Sequence, residues 1–514
     1  MTERPNLVRR VVASRRLLPI LLLVSTFFAF GAWALATPPG GSADEDFHLA
    51  SVWCANDARG DLCEPGSAPN TRELPGSLVD IKECFVFDSS RSAACQDLSD
   101  TTPDTETKRG NFAGGYPPVY YAVMNVFAGI DIALSAVIMR LVSVVIFLGM
   151  LSALWLLLPV ARRGALVLTW LVSSVPMGAA LIASNNPSGW AMIGVGTLWL
   201  AVLGYLEAPT RGRTIGLFAV AAVATLLAAG SRGDAALYAI IAIGVGSVLA
   251  IRRNRVVLLR LLPLLALVLI AVLCVISARQ VVSGVSGFNG WKTDSGQVLE
   301  PVDPVAQLFP NLMNLPSLWN GAISGAWGLG WQDVPLPALA QFLVLVAFIG
   351  VAFLGLRHTR WRKALMLVGL VSVLIVVPLY VLFQSKTWVG QAVQPRYLLP
   401  IVVMLLGVAL VSERADRAIR LSLAQAIVVG VGLVVAYALD LHVTLRRFTT
   451  GIDVGGVNLN AHLEWWWDTA PSPMVVFAVG TLAFAVSAAI ALVLVRRESG
   501  RSLARDISTE PVAV

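Results

Sequence analysis

Twelve stretches of the chain are almost continuously apolar, and short charged or proline- and glycine-containing breaks separate them. They are Leu17–Ala36, Leu134–Val160, Ala165–Ala183, Trp190–Leu206, Ile215–Gly230, Ala235–Ile251, Val256–Ile276, Ala338–Leu356, Ala364–Phe383, Tyr397–Val411, Ile419–Leu439 and Met474–Val495. Most come close to the ~20 residues that an α-helix needs to cross the hydrocarbon core of a bilayer. The runs are continuous rather than alternating, which argues against a β-barrel. The pattern therefore predicts an all-α, polytopic membrane protein of about twelve transmembrane helices, with a large first extracytoplasmic loop. The two runs flanking "SRGD" (Ser231 to Asp234) are short enough to be re-entrant.

Composition supports the class. Of 514 residues, 57% are hydrophobic and 13% charged, against about 25% charged in an ordinary soluble domain. The net charge of +7 comes from short arginine clusters between apolar runs. That is an orientation signal and gives no reason to expect nucleic acid as a partner. Arg4, Arg9, Arg10, Arg15 and Arg16 precede the first run. "ARRG", "TRGR", "IRRNR", "RHTRWRK", "ERADRAIR" and "VRRESGR" follow in alternate breaks. With twelve spans they share one side, and the positive-inside rule makes that side the cytoplasm. The expected organisation is a cytoplasmic N-terminus at 1–16, a first span at 17–36 and an extracytoplasmic loop at 37–133. Spans two to seven occupy 134–276, a second outer loop 277–337, spans eight to eleven 338–441 and a tryptophan-rich outer loop 442–473. The last span is 474–495 and a cytoplasmic tail fills 496–514. The location this implies is the bacterial plasma membrane, with membrane lipids as the surroundings. "ALA" at 34–36 also fits a signal-peptide cleavage site, but the preceding run is longer than the usual ~7–15 apolar residues. Either way the next loop lies outside.

Four of the five cysteines, Cys54, Cys63, Cys84 and Cys95, lie in that first loop. On an oxidising face they predict two disulfides, with three pairings open. No spacing is CxxC, so a metal knuckle has little support. Cys274 sits alone in a span. The same loop ends in "GGYPPVYYAVMNVFAGID", which reads as an interfacial helix entered through a proline turn, with Tyr116, Tyr120 and Tyr121 at headgroup depth. Trp319, Trp327, Trp331, Trp465, Trp466 and Trp467 fall in the outer loops. They are either an aromatic belt or platforms for sugar rings.

Candidate chemistry gathers at the outer end of the first span, in "ATPPGGSADEDFHLASVWC". If Asp44 to His48 is helical, Asp44 and His48 at i and i+4, and Glu45 at i+3 from His48, share a face. Two carboxylates beside an imidazole suit a general base or a cation site, so Asp44 and Glu45 would hold a divalent cation if one is used. The plainer alternative is an acidic first turn of a helix. Asp131 and Arg140 are further charges near the start of the second span, where such groups are functional candidates. No Walker sequence, GxGxxG, HExxH or GxSxG occurs, which leaves a nucleotide-driven pump or membrane zinc protease without support.

The chain resembles the GT-C superfamily of membrane glycosyltransferases, which place an acidic motif at the outer end of the first span. It is nearest an uncharacterised bacterial branch of predicted membrane proteins that pairs a proline-rich D-E-x-x-H with P-P-x-Y-Y. The matching residues are Asp44, Glu45 and His48, then Pro117, Pro118, Tyr120 and Tyr121, then Gln394, Arg396 and Tyr397 of "QPRYLLP". The chain departs from some relatives in having no large C-terminal soluble domain. The resemblance implies transfer of a sugar from a polyprenyl-phosphate donor to an envelope polysaccharide, glycolipid or protein. Asp44, Glu45 and His48 would then be catalytic. Arg396, Gln394, Tyr397, Arg232, Tyr120, Tyr121, Asn185 and Asn186 would bind substrate.

The residues are consistent with that chemistry. An outer-face acceptor hydroxyl needs a base, which a carboxylate at the bilayer edge supplies if partial desolvation raises its pKa. A leaving phosphate needs cations, and arginine grips phosphate with two donors. Arg396 could equally be a snorkelling anchor, and Arg232 could simply pair with Asp234. Asn185 and Asn186 could bind hydroxyls or make a turn. The rivals are a transporter or flippase of lipid-linked glycans, which would carry polar groups at mid-span, and a glycan polymerase or ligase.

Overall fold

A computed structural model describes residues 17–56, 61–251, 255–279, 303–412 and 419–509. The arginines before Leu17, most of the "ERADRAIR" break and the "NGWKTDSGQ" segment lie outside the described residues. Sixteen helices carry the fold: α1 Leu17–Leu35, α2 Glu45–Trp53, α3 Val119–Asn125, α4 Ile132–Leu157, α5 Val160–Ser173, α6 Met177–Ile182, α7 Pro187–Glu207, α8 Arg211–Ala229, α9 Gly233–Ala250, α10 Arg255–Ser277, α11 Pro304–Ser324, α12 Ala338–Gly355, α13 Trp361–Ser385, α14 Pro395–Leu410, α15 Leu423–Thr449 and α16 Pro473–Thr509. Among the described residues, ten are long and apolar enough to cross a membrane: α1, α4, α7 to α10, α12, α13, α15 and α16, the last over Pro473–Glu498. The chain is a polytopic, all-α membrane protein.

The other two expected spans are shorter. Ala165–Ala183 is broken into α5 and α6 at a cis peptide between Val175 and Pro176. The run at 397–411 forms the 16-residue α14, almost wholly buried. The runs around "SRGD" are full helices of 19 and 18 residues, α8 and α9, not re-entrant hairpins. Two loop assignments also change. α15 runs ten residues past Leu439, carrying Arg446 and Arg447 into its last turn, and the 277–337 loop contains α11. Periodic apolar counting stops at the first charge, whereas a helix continues when its charges find partners.

α7 is the axis of the bundle, and its apolar window is completely buried. Its start is set locally: Asn186 caps the helix by accepting from Ser188 N at 2.8 Å, and Pro187 occupies the first turn. Gly194 lets α8 approach, since a Cβ there would stand 2.6 Å from Ala224 O. Small residues allow this close backbone packing where there is no water to drive association.

Charged side chains collect at the two ends. At the arginine end, Arg162 on α5 pairs with Glu207 of α7 at 2.7 Å and donates to Ser412 O, and Lys363 donates to Gly355 O at 2.7 Å. These contacts satisfy helix-end carbonyls that would otherwise lack partners. The other end, where α1 stops, is the motif end. It carries the cysteine loop, whose three short antiparallel strands pair in the order β1 (Glu64–Pro65), β2 (Arg72–Pro75), β3 (Pro103–Thr107). α3 is only seven residues long, and Tyr120 and Tyr121 on it are buried against the bundle. They pack inward rather than standing on an outer face of the helix.

The cysteine pairing left open by sequence is Cys54–Cys63 and Cys84–Cys95, at separations of 9 and 11 residues. Each crosslink is expected to stabilise the loop by about 2–3 kcal/mol. Peptide mapping of non-reduced protein should recover these two pairs. Free thiols, or a crosslink between the 54–63 and 84–95 segments, would contradict them.

Candidate functional site

α1 ends because Pro38 and Pro39 cannot continue it and Gly40, at φ +80, turns the chain back. The carbonyls freed there are collected by one side chain. Arg140, wholly buried on α4, donates to Ala34 O at 2.9 Å, Thr37 O at 2.7 Å and Pro38 O at 2.9 Å. It also grips both oxygens of Glu45 at 2.8 Å. Glu45 takes two further donors, Ser42 N at 3.1 Å and Asn185 N at 3.3 Å. Asn186 donates to Ala43 O at 2.7 Å, and Asn185 donates to Ala136 O at 3.1 Å. Glu45, Asn185 and Asn186 are thus enclosed and hold the turn. No face of Glu45 is left for an acceptor or a cation.

The turn places Asp44 at the N-cap of α2, not inside the helix, with φ 55 and ψ 17. A left-handed conformation is uncommon for a side chain other than Gly, Asn or Asp and needs surrounding structure to hold it. The shared face expected of Asp44, Glu45 and His48 does not form. Asp44 turns to Arg396, which donates at 2.5 Å, with Arg109 next at 3.7 Å. About a third of the Asp44 side chain is exposed. Burial works to raise its pKa, but the charges of Arg396 and Arg109 outweigh that and hold it below the usual carboxylate range, which corrects the raised pKa expected of a desolvated carboxylate. Asp46 is buried between Lys82 at 2.9 Å and Arg109 at 2.9 Å. Burial opposes its ionisation too, and these two cations prevail.

His48 is buried, with Nδ1 2.9 Å from Tyr121 Oη and its ring against Phe47 and Tyr116. Burial pushes its pKa down to about 3. The imidazole is therefore neutral, and Tyr121 is its partner.

The second arginine, Arg232, stands beside the first. Tyr397 lies between the two guanidinium groups, 4.4 Å from Arg232 Cζ and 5.0 Å from Arg396 Cζ. Tyr116 is 5.6 Å from Arg232 on another side. Arg232 is also committed to Asp234 at 2.8 Å and to Ser188 at 3.2 Å. Arg396 is less committed: beyond Asp44 it reaches Tyr397 Oη at 3.3 Å, and its buried Nε has no hydrogen-bond partner among the described residues. Arg396 and Gln394 line a cleft of about 50 Å³ with Ser42, Ala43, Trp33 and Trp327. Tyr120 packs on Trp190, away from this cleft.

One wall of the cleft is the segment Gly325–Val334. Gly330 there has φ +61, and a Cβ would stand 3.0 Å from Gly41 O. Trp331 donates to Gly40 O at 2.9 Å and carries Lys82 over its ring at 4.0 Å. Arg447, from the part of α15 assigned to a loop, anchors the segment through Asp333 at 2.7 Å. Of the six loop tryptophans, Trp327 lines the cleft. Trp319 donates to Leu374 O, Trp466 to Pro471 O and Trp467 to Leu35 O, with Trp465 packed on the last two. Lys82, Arg109, Tyr116 and Arg447 were not singled out as site residues from sequence. The available signal for Lys82 and Arg109 was a pair of cations in the loop that follows three successive acids.

Fold and site together define a multi-pass membrane protein with a caged cluster of arginines, carboxylates and tyrosines at one end of its bundle. Residues 27–405 match the model of a family described as predicted membrane protein (DUF2142), and the chain belongs to that family. No curated protein matches the sequence. Among the described residues, no three His, Cys, Asp or Glu side chains converge as a metal site would require.

Two outcomes follow from this geometry. Glu45→Gln leaves Arg140 buried without its counter-charge and is expected to cost about 3–5 kcal/mol. Thermal unfolding of purified protein should show a large loss for Glu45→Gln and a small one for Asp44→Asn; equal, small losses would contradict the assignment. His48 binds its proton near pH 6.5 when unfolded and at about 3 when folded. Acid therefore favours the unfolded form: its contribution is full above pH 6.5 and is lost as pH falls from there toward 3. By pH 5 the loss is roughly 2 kcal/mol. His48→Gln should remove that slope, and an unchanged slope would place the titration elsewhere.

Proposed function

We propose that the protein is a membrane glycosyltransferase that moves a sugar from a polyprenyl-phosphate donor to an envelope acceptor on the outer face of the bacterial plasma membrane. The observation that carries this reading is the Asp44–Arg396 pair at the lip of the cleft. A carboxylate and an incompletely used guanidinium stand together at the end of the first span, the depth at which a lipid phosphate is confined. The arginine clusters at the opposite end of the bundle support the sidedness.

In this reading Arg396 takes the donor phosphate, and Arg232 and Tyr397 fix the plane of its guanidinium. Phosphate oxygens replace Asp44 as acceptors, which frees the carboxylate to act as base. The acceptor hydroxyl gives its proton to Asp44 as its oxygen bonds the anomeric carbon. The bond from that carbon to the phosphate oxygen breaks, and the lipid phosphate leaves with the electron pair. Among the described carboxylates of the cluster, Glu45 and Asp46 are buried and Asp234, though 29% exposed, is held by Arg232. The cleft's 50 Å³ is far below the ~300–1,000 Å³ of an occupied ligand site. Productive binding therefore requires the Gln332–Gln394 contact, 2.6 Å, to part so that Trp327 can face a sugar ring.

Lipid-linked sugars from a deletion strain test this. The strain should accumulate the donor lipid at the outer face, and the parent gene should clear it. Asp44→Asn should restore clearance about 10²–10⁴-fold more slowly, the usual cost of losing a general base. Arg396→Ala should weaken donor binding by about 1.5–3 kcal/mol. Clearance by Asp44→Asn at the parent rate would reduce the carboxylate to a helix cap. Accumulation of an inner-face precursor would point to flipping.

A further inference from the structure

α11 lies in the stretch that sequence assigns to an outer loop, yet its faces are reversed for a helix in water. Over Pro304–Met313 the polar side chains, Gln307 and Asn311, are the buried ones. Val305, Leu308, Phe309, Leu312 and Met313 stand outward, between 37% and 71% exposed. Their spacing places them on one face of the helix. A helix on a water-facing surface buries its apolar stripe and exposes its polar one. α11 does the opposite, and no side chain from 304 to 324 carries a charge.

Its neighbours fix its depth. Asn311 bridges the chain just past the motif end of α13, donating to Thr387 O and accepting from Val389 N, both at 3.0 Å. Trp319 donates to Leu374 O, near the middle of α13, at 3.2 Å. α11 therefore runs from the motif end of α13 down toward its middle. It packs on both α12 and α13, which are membrane spans. Their own outward faces are apolar, with Phe342 and Val346 exposed on α12 and Val368 and Val376 on α13. The stripe on α11 joins that surface. The polar side chains lower on α11 bond within the helix: Asn314 Nδ2 donates to Pro310 O at 2.9 Å, Ser317 Oγ to Asn314 O at 2.8 Å and Ser324 Oγ to Asn320 O at 2.9 Å. Polar groups in hydrocarbon must be satisfied by the protein itself, and these are. At its far end the helix meets the cleft. A Cβ on Gly321 would stand 2.6 Å from Pro395 Cγ, next to Arg396, and Gly325 begins the wall that carries Trp327.

We infer that α11 is inserted in the membrane: it enters the leaflet at the motif end, lays its Val305–Met313 stripe against lipid acyl chains, and stops at the cleft without crossing. The partner of this surface is hydrocarbon. The stripe is apolar, it continues the lipid-facing surface of two spans, and it has no charge with which to select a headgroup. The 277–337 stretch is then not wholly an aqueous loop, and one wall of the cleft hangs from a helix seated in the leaflet. The inference does not depend on the transfer reaction proposed above.

The experiment is spin labelling of the full chain in lipid nanodiscs. Cys274→Ala removes the free thiol, and the four loop cysteines are paired and take no label. Val305→Cys, Phe309→Cys and Met313→Cys are then labelled one at a time, so that the test survives if one variant fails to fold. Val376→Cys, on the outward face of α13, is the lipid reference, and Thr101→Cys, exposed in the cysteine loop, is the water reference. Each label is relaxed by oxygen, which concentrates in hydrocarbon, and by a water-soluble nickel chelate. The α11 labels should follow Val376, with oxygen the stronger relaxant, in phosphatidylcholine alone and with phosphatidylglycerol added. Labels that follow Thr101 would put the stripe in water and overturn the insertion. Shielding from both relaxants would show a protein cover instead, and label-to-label broadening would identify that cover as a second copy. Insertion seen only with phosphatidylglycerol would contradict a purely hydrocarbon contact.

Discussion

The buried pair between Glu45 and Arg140 is the contact on which the motif end depends. Arg140 meets four oxygen-bearing partners: the Ala34 carbonyl in the last turn of α1, the Thr37 and Pro38 carbonyls of the proline turn, and the carboxylate of Glu45 opening α2. It welds the exit of the first span to the second. Taking both charges out of water is costly, and the pair is tolerated because nearly every donor and acceptor on it is used. Removing one partner would leave an uncompensated buried charge at the motif end. The pair therefore contributes definition of shape more than net stability. The path of residues 36–44, and with it the position of Asp44, follows from where Arg140 holds the chain.

Four neighbouring polar residues consequently have four separate duties. Glu45 is locked to Arg140, Asp46 to Lys82 and Arg109, and His48 to Tyr121. Only Asp44 keeps an exposed edge, and it alone faces an arginine that lines a cleft. The left-handed backbone at Asp44 matters here. A right-handed residue would have extended α2 by one position and aimed the carboxylate along the face of His48. The left-handed turn instead leaves it facing Arg396 on α14, 352 residues away in sequence.

Much of the fold was legible because bilayer thickness imposes a length on apolar runs. Ten of twelve anticipated spans are full helices; the exceptions are Ala165–Ala183, which is split between α5 and α6, and the 16-residue α14. The charge-terminated boundaries were less legible. Arg447 ends no helix because Asp333 and two backbone carbonyls receive it, and nothing near it in sequence announces them. At the site, the motif end and Asp44, Arg396, Tyr397 and Arg232 could be picked out from their places at the ends of apolar runs. The roles of Glu45, Asn185 and Asn186 could not. A carboxylate locked inside the fold and one left partly exposed look alike in sequence, and only the partner, here Arg140 from the next span, separates them.

The central claim is that Asp44 and the donor phosphate compete for one guanidinium, Arg396. Titrating purified Asp44→Asn protein with polyprenyl phosphate tests it without requiring the sugar or the acceptor to be known. With the carboxylate neutralised, Arg396 no longer has to be released, so the variant should bind the lipid phosphate more tightly than the parent. Arg396→Ala should bind weakly whether or not Asp44 is present. Equal or weaker binding by Asp44→Asn would show that the phosphate does not displace Asp44 from Arg396, and would contradict the account.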